Sequence, residues 1–125
     1  MKFSCLKIHL EHALAISERF TGKNVTLPIL GSVLLETEGD NLVVRATNLE
    51  HAIELVVPGD VKSGGKVGVP ARVVSSLVQA MQEDKIHLEV KQGNLVVLSD
   101  TRQSRVNGVS VEDFPLIPKM KNPAT

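Results

Sequence analysis

Apolar residues recur with a helical period near the start of the chain, in "KIHLEHALAISERF", residues 7 to 20. One face of a 3.6-residue repeat collects Leu10, Ala13, Leu14, Ser17 and Phe20. The opposite face collects Glu11, His12, Ala15, Glu18 and Arg19. Thr21 and Gly22 follow at the place where glycine commonly ends a helix. The pattern predicts an amphipathic helix over residues 7 to 20.

A second helical pattern lies near residues 70 to 82, where Pro70 suits the first helical position. Its apolar face collects Val73, Val74, Leu77, Val78 and Met81. Its polar face collects Arg72, Ser75, Ser76, Gln79 and Glu83. This second helix is therefore predicted to show a small, polar and nearly acid-free surface.

Apolar runs broken by turn residues predict strands over the rest of the chain. Pro28 and Gly31 argue against a helix in "NVTLPILGSVLLET", so residues 21 to 30 are predicted to be a connector. The predicted strands are "KFSC", "GSVLLETE", "NLVVRAT", "HAIELVV", "KVGV", "KIHLEVK", "NLVVLSD" and "QSRVNGV". Pro58 and Gly59 are expected to end the first set, and "KSGGKVG" is interpreted as a turn before a strand.

The chain contains an internal repeat. "TEGDNLVVRATN" and "VKQGNLVVLSDT" each place Asn-Leu-Val-Val after a turn, and two copies of strand–helix–strand–strand–strand follow from this spacing. We expect one α+β domain over residues 1 to 125, with two helices side by side on one face and antiparallel sheets behind them. Chance repetition of hairpins in an ordinary α+β domain is the alternative.

Composition narrows the choice of partners. Fourteen basic and 14 acidic residues leave no net charge, so no global field attracts nucleic acid. Three Phe, with no Tyr or Trp, make base stacking on aromatic side chains an unlikely mode of binding. Cys5 is the single cysteine, which fits a cytoplasmic protein without disulfides. No membrane segment or signal peptide is evident in the pattern.

No catalytic constellation is predicted. His9 and His12 are three residues apart on a helix, but no nearby residues supply further zinc ligands. Gly64 and Gly65 precede a strand, whereas a phosphate loop follows one and opens a helix. We therefore expect a protein that is not an enzyme and that holds no metal or cofactor. The polar helix faces could meet phosphates through weak contacts, or they could simply be solvated.

Five segments carry a resemblance to a known family. The helix after "MKF", then "TLPILGSVLLE", "ATNLEHAIE", "VPARVVSSLVQAM" and "VNGVSVEDFP" resemble, in order, the N-terminal domain of the bacterial sliding clamp. That clamp is the beta subunit of DNA polymerase III. The resemblance implies a non-catalytic processivity factor in which three such domains form a subunit and two subunits close a ring around double-stranded DNA. It also implies a clamp loader and a replicative polymerase as partners.

The resemblance also implies site residues. DNA contacts are expected from Arg19, Lys23, Asn24, Arg72 and Gln79, with Asn24 standing where many members have an arginine. A subunit interface is expected along the edge formed by Gln103, Ser104, Arg105 and Val106, with Ser104 where an aromatic residue is common. The pocket for partner peptides and two further domains are expected outside residues 1 to 125, so this chain alone should be monomeric. A protein-interaction module that uses a sheet edge and has no nucleic-acid role is the alternative.

Overall fold

The repeat produces two successive sets of strands, each with one helix. In a computed structural model, residues 1–21, 31–47 and 52–109 are described, and they contain nine strands and two helices. The first set is β1 (Lys2–Leu6), α1 (Lys7–Glu18), β2 (Ser32–Glu38), β3 (Asn41–Thr47) and β4 (Ala52–Pro58). After β5 (Asp60–Ser63), the second set is β6 (Lys66–Pro70), α2 (Ala71–Ala80), β7 (Lys85–Lys91), β8 (Asn94–Leu98) and β9 (Gln103–Val106).

The two sets exchange their first strands. One sheet has five strands in the order β5-β1-β7-β8-β9, and the other has four in the order β4-β3-β2-β6. Strand β1 of the first set therefore pairs with β7 of the second, and β6 of the second pairs with β2 of the first, all antiparallel. Each sheet is completed by a strand from the other half of the chain.

One hydrophobic core joins both sheets and both helices. In β3 the alternating residues Leu42, Val44 and Ala46 are fully buried on the inward face, as period-two patterning predicts. Helix α1 packs against α2 and against β3 and β4, while α2 also contacts β2 and β9. Helices on one side and strands behind them were predicted, and the structure confirms this α+β arrangement.

Two turns show why particular residues occupy them. Gln92 and Gly93 join β7 to β8 with φ of 53° and 78°, the paired positive values of a two-residue hairpin turn. Gly59 follows β4 where the chain crosses β1. A Cβ atom there would lie 2.3 Å from the Ser4 carbonyl oxygen, so only glycine fits.

The helix boundaries differ slightly from the prediction. Helix α1 ends at Glu18, where the Thr21 hydroxyl donates to the Glu18 carbonyl at 2.7 Å, rather than at residue 20. Pro70 is the last residue of β6 and precedes α2, so its predicted position inside the helix is wrong. Its extended ψ of 125° still lets the chain turn directly from strand into helix.

The predicted faces of α2 need two corrections. Val73 is 50% exposed, although it was placed on the apolar face, and Ser75 is buried, although it was placed on the polar face. Steps of about 100° per residue bring Ser75 onto the arc of Ala71, Val74 and Val78, and turn Val73 away from it. Glu83 lies beyond the end of the helix, so it does not belong to either face.

The strand predictions missed one element and lengthened two others. Strand β5 lies in the stretch before "GGK" that suggested only a turn, and it pairs with β1. Strand β8 ends at Leu98 and β9 at Val106, with Val109 forming an isolated bridge to Gly68. Most of the predicted connector, residues 22 to 30, lies outside the described residues.

Candidate nucleic-acid interface

The two helices run in opposite directions. The Lys7 ammonium donates to the Gln79 carbonyl at 3.5 Å, so the start of α1 lies beside the last turn of α2. Because the helices pack side by side, the end of α1 lies toward the start of α2. Arg19 follows the last residue of α1 and Arg72 is the second residue of α2, so this geometry places both guanidinium groups at one end of the pair.

The predicted DNA-contacting residues of the helices are open to solvent. Arg19, Arg72 and Gln79 are exposed. Within the part of the chain that the structure describes, neither arginine forms an ion pair. The Gln79 side-chain amide donates to the buried Ser75 hydroxyl at 3.4 Å, which holds it against the helix. Lys23 and Asn24 lie outside the described residues.

Sequence reasoning missed Lys7 as a cation of the helical surface. It lies on the flank of α1 that meets α2, beside the apolar stripe rather than opposite it. Counting the described charges on the two helices and on Arg19, three cations (Lys7, Arg19, Arg72) stand against Glu11 and Glu18, which leaves a surplus of one. The position of Lys7 on this surface depends on how α1 packs beside α2, which the apolar periodicity of either helix does not indicate.

Glu83 was placed on the polar face of the second helix, but its carboxylate points to another neighbour. One of its carboxylate oxygens accepts a hydrogen bond from the Thr101 hydroxyl at 2.5 Å in the loop between β8 and β9. Hydrogen bonds from Thr101 and then Ser99 lower the pKa of the Glu83 carboxyl below its ordinary value. Helix α2 itself therefore carries Arg72 with no acidic residue.

The four predicted interface residues form β9, an outer strand of the five-stranded sheet. Gln103 and Arg105 are exposed, and each pairs with an outward residue of β8. Ser104 lies opposite the fully buried Val97, and Val106 is itself buried, so these two face the core side. A partner strand would pair with the free backbone edge of β9, with Gln103 and Arg105 on one side of the new pair and Ser104 and Val106 on the other.

The described residues do not assemble a catalytic group. The Ser4 hydroxyl and His87 Nδ1 are 2.7 Å apart, but the residue aligned with Ser4 on its other side is Asp60. Serine is thus in the middle, whereas a nucleophile needs histidine between itself and the acid. Burial raises the pKa of the Cys5 thiol to about 12, which suppresses its nucleophilic thiolate form.

His9 and His12 are both exposed on α1. In the described ranges, no group of three or more histidine, cysteine, aspartate or glutamate side chains could hold a metal ion.

Among the same residues, no helix has the length and apolar content of a membrane span.

Comparison with solved structures defines the class of fold as the DNA clamp. The Helicobacter pylori beta clamp bound to a DNA ligase peptide superimposes with a TM-score of 0.88 at 20% identity, over 94% of this chain and 33% of that one. The polymerase III beta structure from Caulobacter crescentus also gives 0.88, at 24% identity over 96% of this chain and 33% of that one.

The sequence then identifies the family within that class. Residues 1–118 match the model of the DNA polymerase III beta subunit, N-terminal domain, and the chain belongs to this family. A beta sliding clamp from Vibrio harveyi is 34% identical over an alignment of 122 positions that covers 94% of this chain and 82% of that sequence. The Synechocystis beta sliding clamp is 25% identical over an alignment of 130 positions that covers 97% of this chain.

The chain spans about a third of the length of the first curated relatives it matches, with 33% for Synechocystis and 34% for Chlamydia muridarum. The five sequence segments thus led to the correct family, and membership disfavours the alternative of an unrelated sheet-edge interaction module.

Proposed function

We propose that this chain is one domain of a sliding clamp, a processivity factor that encircles double-stranded DNA without reading its sequence and tethers the replicative polymerase. The observation that carries the proposal is the antiparallel helix pair. Arg19, Arg72 and Gln79 on this pair are exposed to solvent, and α2 has no acidic residue. Exposed arginine and glutamine side chains of this kind can supply phosphate contacts, which position a duplex without carrying sequence information.

Weak contact suits this role. The surplus of one positive charge on the helical surface limits the number of phosphates that it can neutralise. Exposed side chains that each contact one phosphate let the duplex slide, because the next phosphate along the helix offers the same partner. We assign these contacts to Arg19, Lys23, Asn24, Arg72 and Gln79, with Lys7 as an addition. The domain acts without catalysis and without a cofactor.

Assembly of a clamp ring requires subunit interfaces, and this domain supplies one side of one of them. We propose that the edge of β9, Gln103–Val106, joins a second clamp subunit in the full-length protein. The Helicobacter pylori clamp was solved with a DNA ligase peptide. We propose that the full-length protein similarly receives the polymerase and clamp loader outside residues 1 to 125, in the cytoplasm, where bacterial DNA is replicated.

A salt titration in a full-length clamp that contains this domain tests the DNA contacts. The triple substitution Arg19→Ala, Lys23→Ala and Arg72→Ala should lower affinity for duplex DNA and reduce the slope of log affinity against log salt by about 3. Preference among DNA sequences should stay unchanged. Equal affinities and equal slopes for the two proteins would remove these residues from the DNA-contacting role.

Sedimentation tests the assembly. Residues 1 to 125 alone should sediment mainly as a monomer at micromolar concentration, because the proposed ring needs surfaces from other domains. A stable closed ring formed by this chain alone would contradict the proposal.

A further inference from the structure

The outward face of the five-stranded sheet is unusually basic. Because Phe3, Cys5, Ile86 and Leu88 point into the core, the residues between them in β1 and β7 point outward. The outward side chains of β1, β5, β7, β8 and β9 form a surface that we call the lysine face, to which β8 contributes the uncharged Asn94, Val96 and Leu98. Its charged and titratable members are Lys2, Lys62, Lys85, Lys91, Arg105, Asp60, Glu89 and His87.

The lysine face has a larger surplus of positive charge than the helical surface or the outward face of the four-stranded sheet. Five cations against two acids leave a surplus of three on the lysine face, even with His87 counted as neutral. The helical surface has a surplus of one. On the outward face of the four-stranded sheet, Glu36, Glu38 and Glu54 outnumber Arg45 and Lys66. The strongest positive field of the described residues therefore lies on the side away from the helices.

Most of these cations are available to a ligand. Lys91 lies 3.8 Å from Glu89, which partly neutralises that carboxylate. Within the described ranges, Lys2, Lys62, Lys85 and Arg105 form no ion pair. The first three are exposed lysines on three adjacent strands, β1, β5 and β7. Lys2 pairs with Ser63, the residue after Lys62, whereas Lys85 lies opposite Leu6, four residues further along β1. At about 3.3 Å per residue this is about 13 Å, so an extended chain of phosphates would be needed to meet all three.

A cavity of about 200 Å³ opens on this face, with polar lining from Lys2, Ser4, Lys62, His87 and Glu89. Ser4 and His87 share a hydrogen bond of 2.7 Å across the β1–β7 pair. If the imidazole Nδ1 accepts, Nε2 keeps a proton to donate; if Nδ1 donates, the serine hydroxyl keeps one. In either tautomer the pair offers one further donor beside the two ammonium groups, and together these groups match the oxygens of a phosphate.

We propose that the lysine face is a second nucleic-acid surface, which binds the phosphate backbone of DNA outside the ring and seats one phosphate in the cavity between Lys2 and Lys62. Among the exposed large apolar residues of the described chain, only Leu6 belongs to this face, and the face has no aromatic side chain. Protein partners usually anchor on aromatic and apolar residues, so a flat array of lysines favours a polyphosphate over an acidic peptide.

The proposal differs from the clamp function because the duplex in the ring meets the helices, whereas this face is on the opposite side of the core. The two contacts should therefore be separable by mutation. Duplex binding to the 125-residue protein, measured by fluorescence anisotropy across a series of salt concentrations, tests this. The test variant is Lys2→Gln with Lys62→Gln, the matched control is Lys66→Gln on the other sheet, and Arg19→Gln with Arg72→Gln reports on the helices.

The double lysine variant should reduce the salt slope by about 2, so that the ratio of wild-type to variant affinity changes about tenfold between about 50 and about 200 mM salt. Lys66→Gln should bind as wild type. The lysine variant should lose the same factor whether or not the two arginines are present. All substituted residues are exposed, and an unchanged Tm will confirm that each variant is folded.

Three results would overturn the proposal: no duplex binding by the wild type at low salt, equal binding by the lysine variant and Lys66→Gln, or tighter lysine-dependent binding of polyglutamate than of DNA. A loss confined to the arginine variant would support the clamp function alone. For the cavity, inorganic phosphate should shift the His87 imidazole resonances in the wild type and leave them unmoved in the lysine variant. The absence of a shift in the wild type would remove the phosphate seat.

Discussion

At the scale of single residues, Arg45 makes the densest set of ion pairs in the described chain. Its guanidinium group is almost fully buried on the outward face of the four-stranded sheet. It donates to Glu36, Glu38 and Glu54 at 2.6, 2.5 and 2.7 Å. The three carboxylates keep between 20% and 40% of their side-chain exposure. Arg45 thus bridges three acids on β2 and β4 that would otherwise repel one another.

We predict that Arg45→Met lowers the free energy of unfolding by at least about 2 kcal/mol, because it leaves three clustered carboxylates without their shared partner. Urea unfolding followed by circular dichroism measures the change. Lys66→Met, an exposed change on the same sheet, should cost less than about 0.5 kcal/mol. Similar losses in the two variants would show that the Arg45 ion pairs contribute little.

Glu83 provides a pH-dependent contact between the end of α2 and the β8–β9 loop. Because hydrogen bonds from Thr101 and Ser99 lower the pKa of Glu83 in the folded state, the charged form is favoured by folding. The contribution is complete above the ordinary carboxyl pKa, 4.5, and is lost as pH falls through the lowered value.

NMR titration of the Glu83 carboxyl should therefore give a pKa below 4.5, and Thr101→Val should raise it toward that value. As the pH falls from 4.5 through the lowered pKa of Glu83, the free energy of unfolding of Thr101→Val should also decrease less than that of the wild type. A Glu83 pKa that does not respond to the loss of the Thr101 hydroxyl would exclude this hydrogen bond as its cause.

At the scale of elements, the orientation of α2 can be tested with two adjacent valines. Val74 is 1% exposed and Val73 is 50% exposed, although the apolar pattern placed both on one face. We predict that Val74→Ala destabilises the protein by about 2 kcal/mol, since it removes buried methyl groups and leaves a cavity. Val73→Ala should change stability by less than about 0.5 kcal/mol. A reversed order in thermal unfolding would mean that α2 is rotated about its axis.

The same helix shows what could be predicted from the sequence. Period and turn residues were enough for the type of nearly every described element, since each depends on local spacing. The assignment of Ser75 failed because a small polar residue can be buried when its hydroxyl has a partner, here the Gln79 amide. The assignment of Val73 failed because the buried arc of α2 is centred on Ala71, Val74, Ser75 and Val78, which turns Val73 to solvent. Strand β5 was missed because its four residues, "DVKS", are mostly polar and become a strand only by pairing with β1.

The site was predictable to a lesser extent. Arg72 and Gln79 on α2, and Arg19 just after α1, could be identified as exposed residues, and the family resemblance suggested the DNA-contacting role that we propose for them. The antiparallel contact that adds Lys7, and the sheet register that collects the lysine face, join residues far apart in the chain. Local periodicity holds no information on such pairings.

At the scale of the whole molecule, strand exchange makes the two halves depend on each other. Residues 1 to 64 alone would lack β6 and β7, the partners of β2 and β1, and residues 65 to 125 would lack β2 and β1 in return. Each half would expose apolar sheet edges and one side of its helix.

We predict that neither half gives a cooperative unfolding transition when it is made alone, and that mixing the two restores the circular dichroism spectrum of the intact chain. Each half mixed with an excess of itself serves as the control. A native-like spectrum with cooperative melting from residues 1 to 64 alone would show that the exchanged strand is dispensable.

The exchange of β1 and β6 also bears on how the gene can evolve. The domain has the topology of a swapped dimer whose two subunits have been fused into one chain, with Gly64 and Gly65 at the junction. A substitution in β1 changes a sheet built mainly by the second repeat, and one in β6 changes a sheet built mainly by the first. Each copy of the duplication is thus part of the selective environment of the other.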